Sequence, residues 1–518
     1  MKIFGLLLPA LLILIACKTE PSPPSVPAEK AKRVSGTYVP PAFQTDDRMA
    51  QIESIAPRLH QLFEAYAEEK NIPGIAYGIV VDGQLVVDSA LGLINREQEI
   101  PARTSSAFRI ASMTKSFTAM GIMKLAEAGK IGLQEPASRY IPEMTDLPYP
   151  TSDSPSITVE NLLTMTAGFP EDNPWGDRQL DESVEMLTSL MQEGPSFSNP
   201  PSLVYEYSNT GYALLGLIIS NVSGVPFQQF ITDEILRPLG MTNTYWEFEE
   251  VPRDQLAIGY APDSLTIAPM LHDGSYGAMG GLITTIEDFS KYVSFHLSAW
   301  PPRSGPEEGP VRRSSLRRMQ TPQHARLYPN ARDWRDEPCP VISGYGYGLG
   351  IMENCHGTRR VSHGGALPGF GSNYVFYPDL GIGLMAFCNV TYTTPWPYGE
   401  IVELLFEELD LKPRETRTSE ILKTRQKQVV EWIEEGSVEL EAEILAENFF
   451  LDEDRDRRRA RIHSQLEKAG PVKGIGPMEP WNQLRGTFDL YGEKDTLQVV
   501  FTLSPEAQPK IQALEIRE

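Results

Sequence analysis

Phe108-Arg109-Ile110-Ala111-Ser112-Met113-Thr114-Lys115-Ser116-Phe117-Thr118-Ala119-Met120 sets a hydroxyl and an amine three residues apart, where an apolar pattern with helical spacing begins. Positions i and i+3 share one helix face, so a helix opening near Ser112 brings Lys115 within hydrogen-bond reach of the Ser112 hydroxyl. A serine beside a base is an activated nucleophile, and its chemistry is acyl transfer. Chance supplies a Ser-x-x-Lys match about once or twice in a chain this long. Ser112 begins the only such match here, so the question is what the rest of the chain builds around it.

Outward from that stretch, residues 49–69 carry apolar side chains at helical spacing, and 74–89 alternate around Asp82-Gly83, which predicts a helix followed by a hairpin. Helical patterns return over 112–128 and 158–166, where Thr158 with Asn161 marks a helix start, and the middle third is richest in helix. Strand patterns follow over 346–352, 360–362, 371–377 and 381–389, with Pro378-Asp379-Leu380-Gly381 as the turn between the last two, and 398–409 closes the unit as a helix. The order helix, hairpin, helical block, strands, helix fits an α/β (α+β) fold. In it an antiparallel sheet takes its early and late strands from opposite ends of the chain, packs helices on its faces and carries a helical subdomain.

Tyr207-Ser208-Asn209 lies in a polar loop just before the apolar helix pattern of 213–220. A phenol beside a lysine can act as an anion or as a hydrogen-bond partner sharing the Ser112 proton, and the Asn209 amide can orient Lys115 or a substrate carbonyl. A second Tyr-x-Asn, Tyr328-Pro329-Asn330, sits in a proline-rich stretch with no adjoining helix and reads as loop. The third element is His363-Gly364-Gly365, in Val361-Ser362-His363-Gly364-Gly365-Ala366-Leu367-Pro368-Gly369. Paired glycines on a strand edge let a substrate backbone approach, and the N–H groups of Ser112 and Ala366 would form an oxyanion hole.

In this order the three elements resemble the SxxK, YxN and KTG-equivalent motifs of the serine β-lactamase and penicillin-binding-protein superfamily, in its class C-like, β-lactamase-related branch. The resemblance covers residues 49–411 and extends to Leu162-Leu163-Thr164-Met165-Thr166-Ala167-Gly168-Phe169, Pro238-Leu239-Gly240-Met241 and Gly280-Gly281-Leu282-Ile283-Thr284-Thr285. It implies a β-lactamase/transpeptidase-like fold, with Ser112 as nucleophile, Lys115 as its base, Tyr207 as proton relay and Asn209 as the substrate-orienting amide. His363, Gly364 and Gly365 stand where the family's β-lactamases have Lys-Thr-Gly. The branch with histidine there includes esterases and D-amino-acid peptidases, so the expected activity is acyl-enzyme hydrolysis of an ester, amide or peptide-like substrate. The alternative is a penicillin-binding or peptidoglycan-sensing protein that keeps the fold without turnover.

Lys2 precedes an apolar run over 3–15, and Leu14-Ile15-Ala16-Cys17 resembles the lipobox of bacterial lipoproteins. Residues 1–17 therefore read as a signal peptide, with Cys17 as the lipidated residue that would anchor the protein at a membrane of the cell envelope; plain secretion is the alternative. Residues 18–46, with six prolines, read as a stiff linker. Residues 47–412 form the expected hydrolase domain. Beyond Lys412-Pro413 charge rises, and 413–518 read as a small α+β domain that loosely resembles an NTF2-like cone, its charge run over 452–461 a solvated face or loop.

Apolar content of 41% and charged content of 22% in 518 residues are those of a globular protein. A net charge of −23 without a basic stripe excludes a nucleic-acid partner. The seven histidines are scattered and no metal-ligand spacing occurs, so no metal or cofactor is expected. Cys339, Cys355 and Cys388 leave at least one thiol unpaired. Cys339 and Cys355 flank a glycine-tyrosine segment and could close a loop, while Cys388 reads as a buried strand thiol.

Overall fold

Two central strands are apolar on both faces, and their alternation tells which elements cover each side. In β1 (Gly74–Val81), Ile75, Tyr77, Ile79 and Val81 join a core with Ile52 of α1 (Arg48–Ser54) and with Leu59 and Phe63 of α2 (Ala56–Glu69). Ala76 and Val80, pointing the other way, join a larger core with the middle third of the chain. Phe63 stacks on Tyr77 with ring centroids 3.8 Å apart. The computed structural model describes residues 36 and 38–517, which belong to one compact unit. The expected signal peptide, Cys17 and most of the linker lie outside the described residues.

The strands β2 (Gln84–Asn95) and β3 (Ile100–Pro101) extend the sheet on one side of β1. On the other side lie β4 (Gln323–Tyr328), β5 (Val341–Tyr345), β6 (Gly350–Glu353), β7 (Arg359–Leu367), β8 (Phe370–Tyr377) and β9 (Ile382–Cys388). Their order is β3-β2-β1-β9-β8-β7-β6-β5-β4, antiparallel throughout. The early and late strands meet directly: Ile75 lies opposite Cys388 and Val81 opposite Ile382. Asp82 and Gly83 turn the β1–β2 hairpin with φ of 42° and 91°, the paired positive values that suit a two-residue hairpin.

Against the front of this sheet pack α3 (Thr114–Glu127), α4 (Val159–Leu163), α5 (Asn209–Ser223) and α6 (Ile286–Leu297). Thr158 and Asn161 form a reciprocal capping box at the start of α4. On the back, α7 (Tyr398–Glu403) joins α1 and α2. The helical pattern of 49–69 is two helices because Pro57, lacking an N–H, restarts the chain at the head of α2.

Two strand assignments are corrected. Residues 346–349 form a turn between β5 and β6, because Gly348 (φ 70°) runs so close to α3 that a Cβ there would lie 2.7 Å from Ser116 Cα. Residues 323–328 form the edge strand β4 and Tyr328 ends it; its mostly exposed side chains hid the alternation that a half-buried strand displays.

The region after 412 has its own core around Leu422, Trp432, Phe488 and Val499. There α8 (Glu420–Glu435), α9 (Val438–Ile444) and α10 (Arg455–Ala469) accompany β10 (Val472–Ile475), β11 (Glu479–Asn482), β12 (Arg485–Gly492), β13 (Thr496–Leu503) and β14 (Ile511–Arg517). The order is β10-β12-β13-β14, with β11 also on β12. The charge run at 452–461 opens α10: Asp454 caps its first turn, and Arg459 pairs with Glu441 at 2.6 Å. Residues 38–46, counted in the linker by composition, are packed. Val39 exchanges two hydrogen bonds with the Gln483 side chain (2.8 and 3.1 Å), and Ala42 pairs with Glu415. Phe43 lies between the guanidinium groups of Arg48 (3.4 Å) and Arg414 (4.4 Å).

Candidate active site

A short ribbon, Phe108–Arg109 with Ile283–Thr284, delivers the chain into a 3₁₀ turn, Ala111–Met113, that runs on into α3. Ala111 sits at φ 48°, a left-handed conformation that costs a residue with a Cβ roughly 1–2 kcal/mol. The turn is held by the Ile110 N–H on Leu282 O at 3.0 Å, and Ser372 Oγ donates to Ile110 O at 2.7 Å from β8. Ser112 thereby stands at the head of α3, 8% exposed at a cavity of about 360 Å³.

Lys115 is one turn further on and wholly buried. Its Nζ lies 2.7 Å from Asn209 Oδ1, 2.9 Å from Met279 O and 3.0 Å from Ser112 Oγ. The first two are acceptors only and take two N–H bonds. In the neutral amine the lone pair is then left for the Ser112 O–H. Burial pushes the amine down to about 7, against the opposing pull of Asp177 and Asp172. Asn209 is set by the start of α5: its Nδ2 donates to Asn173 Oδ1 at 3.1 Å, and Asp172 accepts from the backbone N–H groups of Asn209 (2.6 Å) and Thr210 (2.9 Å).

Tyr207 lines the cavity, with its ring centroid 4.9 Å from Lys115 Nζ. Burial raises its phenol well above the usual value, partly offset by a hydrogen bond with Ser112. Of the two forms open to Tyr207, anion or hydrogen-bond partner, burial selects the neutral phenol.

His363 is buried, its Nδ1 2.6 Å from Gly364 O and its Nε2 2.9 Å from Tyr345 Oη. A carbonyl only accepts, so Nδ1 carries the proton and Nε2 accepts from Tyr345. Burial, with Lys115 nearby, lowers the imidazole to about 4, so it is neutral at pH 7. Gly365 lies under the Ser112 turn, where a Cβ would come 2.2 Å from Ile110 O; a Cβ on Gly364 would meet nothing nearer than Asn373 Nδ2 at 3.3 Å. Ala366 lines the same cavity as Ser112.

All eight residues singled out between 112 and 366 therefore come together, except that Lys115 and Asn209 lie behind the wall. Tyr328 is on the far edge strand. Cys339 and Cys355 are joined in a disulfide with Cα atoms 5.1 Å apart, away from the lining of this cavity. Cys388 is buried in β9, its thiol pushed up to about 12 by burial. Sequence reasoning missed Asn173, Asp177, Tyr345 and Tyr392. Asn173 opens a single helical turn, Asn173–Gly176, Asp177 follows it, and Tyr392 lies in a loop, where no periodicity reports which way a side chain points.

Residues 59–405 match the family model described as Beta-lactamase. The chain is 26% identical over 352 residues to Protein flp of Staphylococcus aureus (strain MW2), covering 67% of this chain and 64% of that protein, so it spans less than two thirds of that relative's length. It is 31% identical over 191 residues to Penicillin-binding protein 4* of Bacillus subtilis (strain 168), covering 36% and 40%. Among solved structures, a penicillin binding protein from Bacillus halodurans superposes with a TM-score of 0.52 at 25% identity, over 66% of this chain and 99% of that one. The octameric penicillin-binding protein homologue from Pyrococcus abyssi superposes with a TM-score of 0.54 at 22% identity, over 89% of this chain and 97% of that one, and so shares the fold.

Proposed function

The chain belongs to the β-lactamase family of serine acyl-transferases and hydrolases, and from that premise we propose that it hydrolyses an ester, amide or peptide-like substrate through an acyl-enzyme on Ser112. The observation that carries this reading is the buried Lys115 amine, held by two acceptors with its remaining position on Ser112 Oγ.

The neutral Lys115 amine takes the Ser112 proton as Oγ adds to the substrate carbonyl carbon. The N–H groups of Ser112 and Ala366 receive the oxyanion. Tyr207, a neutral phenol hydrogen-bonded to Ser112, passes its proton to the leaving group and is reprotonated from Lys115. Water, deprotonated by the same pair, then releases the acid and restores Ser112. His363, Gly364 and Gly365 form the substrate-facing edge. A neutral imidazole gives a substrate carboxylate no fixed positive partner, and this favours esters and amides over β-lactams.

A lipid on Cys17 and a proline-rich tether would hold this hydrolase at the cell envelope, with its folded part in the periplasm or outside the cell. The reading is tested with p-nitrophenyl esters, D-amino-acid amides and nitrocefin, using purified wild type and Ser112→Ala. Turnover of at least one substrate that disappears in the variant is expected. A long-lived penicillin adduct with no turnover of any of them would favour the non-hydrolytic alternative, and hydrolysis that persists in the variant would remove Ser112 as nucleophile.

A further inference from the structure

A second cavity, of about 290 Å³, opens on the back of the sheet, where α7 passes β6, β7 and β8. Met352 and Arg360 lie opposite each other on β6 and β7, and Tyr377 ends β8 one residue beyond the Phe376–Val361 pair. Val361 joins the front core, so Arg360, its neighbour along the strand, turns to the back. The apolar walls are Trp334, Met352, Val402 and Phe406. The disulfide Cys339–Cys355 ties the segment that carries Trp334 to the turn after β6.

Arg360 is a cation without an anion. Its Nη1 donates to Tyr398 Oη at 3.0 Å, while its Nε is buried with no hydrogen-bond partner among the described residues. The neighbours that act on its charge are the phenols of Tyr398 and Tyr377, and no carboxylate is among them. Tyr377 Oη and Tyr398 Oη lie 2.8 Å apart, so one of their two protons makes that bond and the other has no acceptor among the described residues. Asp333 is the single carboxylate on the lining, and it is already taken by the N–H groups of Arg335 (2.9 Å) and Glu337 (3.0 Å) and by His356 Nε2 (3.1 Å). The exposed Arg332 pairs with Asp336. Spare donors and an unpaired guanidinium against apolar walls are unfavourable by themselves, and an anion that brings acceptor oxygens relieves both.

We propose that this cavity is a second ligand site, separate from Ser112, which takes a monocarboxylate on a short apolar body, with the carboxylate on Arg360 and the Tyr377–Tyr398 pair and the body against Trp334, Met352, Val402 and Phe406. One guanidinium matches one negative charge, so a monoanion fits the site better than a dianion. The apolar walls supply the rest of the affinity and select against small inorganic anions. The site stands on its own residues, whatever chemistry Ser112 performs.

The test titrates p-fluorophenylacetate and its neutral isostere p-fluorophenylacetamide into the purified protein and reads binding by fluorine NMR. Wild type is expected to bind the carboxylate about tenfold or more tightly than the amide. In Arg360→Met that preference collapses toward one, and in Val402→Trp, which fills the cavity, both probes lose affinity. Each variant is first checked for wild-type circular dichroism. Equal binding of the two probes by wild type, or no saturation by the carboxylate up to about 10 mM, would overturn the proposal without recourse to any variant. So would a carboxylate affinity unmoved in folded Arg360→Met or in folded Val402→Trp, since the ligand would then sit elsewhere.

Discussion

Burial works against the charged form of both Lys115 and His363, and the two shifts have different consequences. Lys115 titrates near 7, so it is the free base above that pH and an ammonium below it. On an uncharged ester, kcat/KM should fall about tenfold per pH unit below pH 7 and level off above it. His363, lowered to about 4, adds no inflection near its ordinary value. A profile flat from about pH 5 to pH 9, or one whose inflection moves in His363→Gln, would contradict this assignment. Lys115→Met, which keeps the stem and removes the amine, should cost about 10²–10⁴-fold in kcat while the protein stays folded by circular dichroism. Both residues were legible in sequence as motif members. Their protonation states were not, because desolvation depends on Met279 O, Asn209 and Tyr345, which come from far along the chain.

At the scale of elements, the site is made where β7 meets the turn at the head of α3. Gly365 is the contact that sets their distance: a Cβ there would press 2.2 Å from Ile110 O and 2.3 Å from Ser372 Oγ, whereas Gly364 has room to 3.3 Å. Gly365→Ala should therefore lower kcat/KM by about 10²-fold through displacement of the Ser112 turn, and Gly364→Ala should cost less. Equal effects of the two would show that the strand does not rest on the turn through Gly365. The strands β1, β8 and β9 were readable because turn residues mark their ends, Asp82-Gly83 after β1 and Pro378-Asp379-Leu380-Gly381 between β8 and β9. The edge strand β4 was not, because exposed polar side chains carry no period. The one-turn helix that brings Asn173 and Asp177 to the cavity is too short to leave a pattern, and Asp177 is known only from where the chain folds.

At the scale of the whole molecule, residues 38–46 join both ends of the described chain. Phe43 lies between Arg48 and Arg414, and Val39 is bonded to Gln483 beside β12. Phe43→Ala should lower stability by about 1–3 kcal/mol, through two lost cation–π contacts and exposed apolar area, and leave the ester kcat at 25 °C as in wild type. An unchanged unfolding midpoint in urea would mean that the strap contributes nothing. Composition assigned these residues to a linker because prolines dominate the stretch, and it could not register that one phenylalanine meets two arginines more than 360 residues apart. The central claim, that Ser112 carries the acyl group, is tested most directly by acid-quenching the protein during ester turnover and measuring the mass of its peptides. The account predicts one peptide, containing Ser112, heavier by the acyl group in wild type and unmodified in Ser112→Ala. An acyl group on any other residue, or none during measurable turnover that persists in Ser112→Ala, would contradict it.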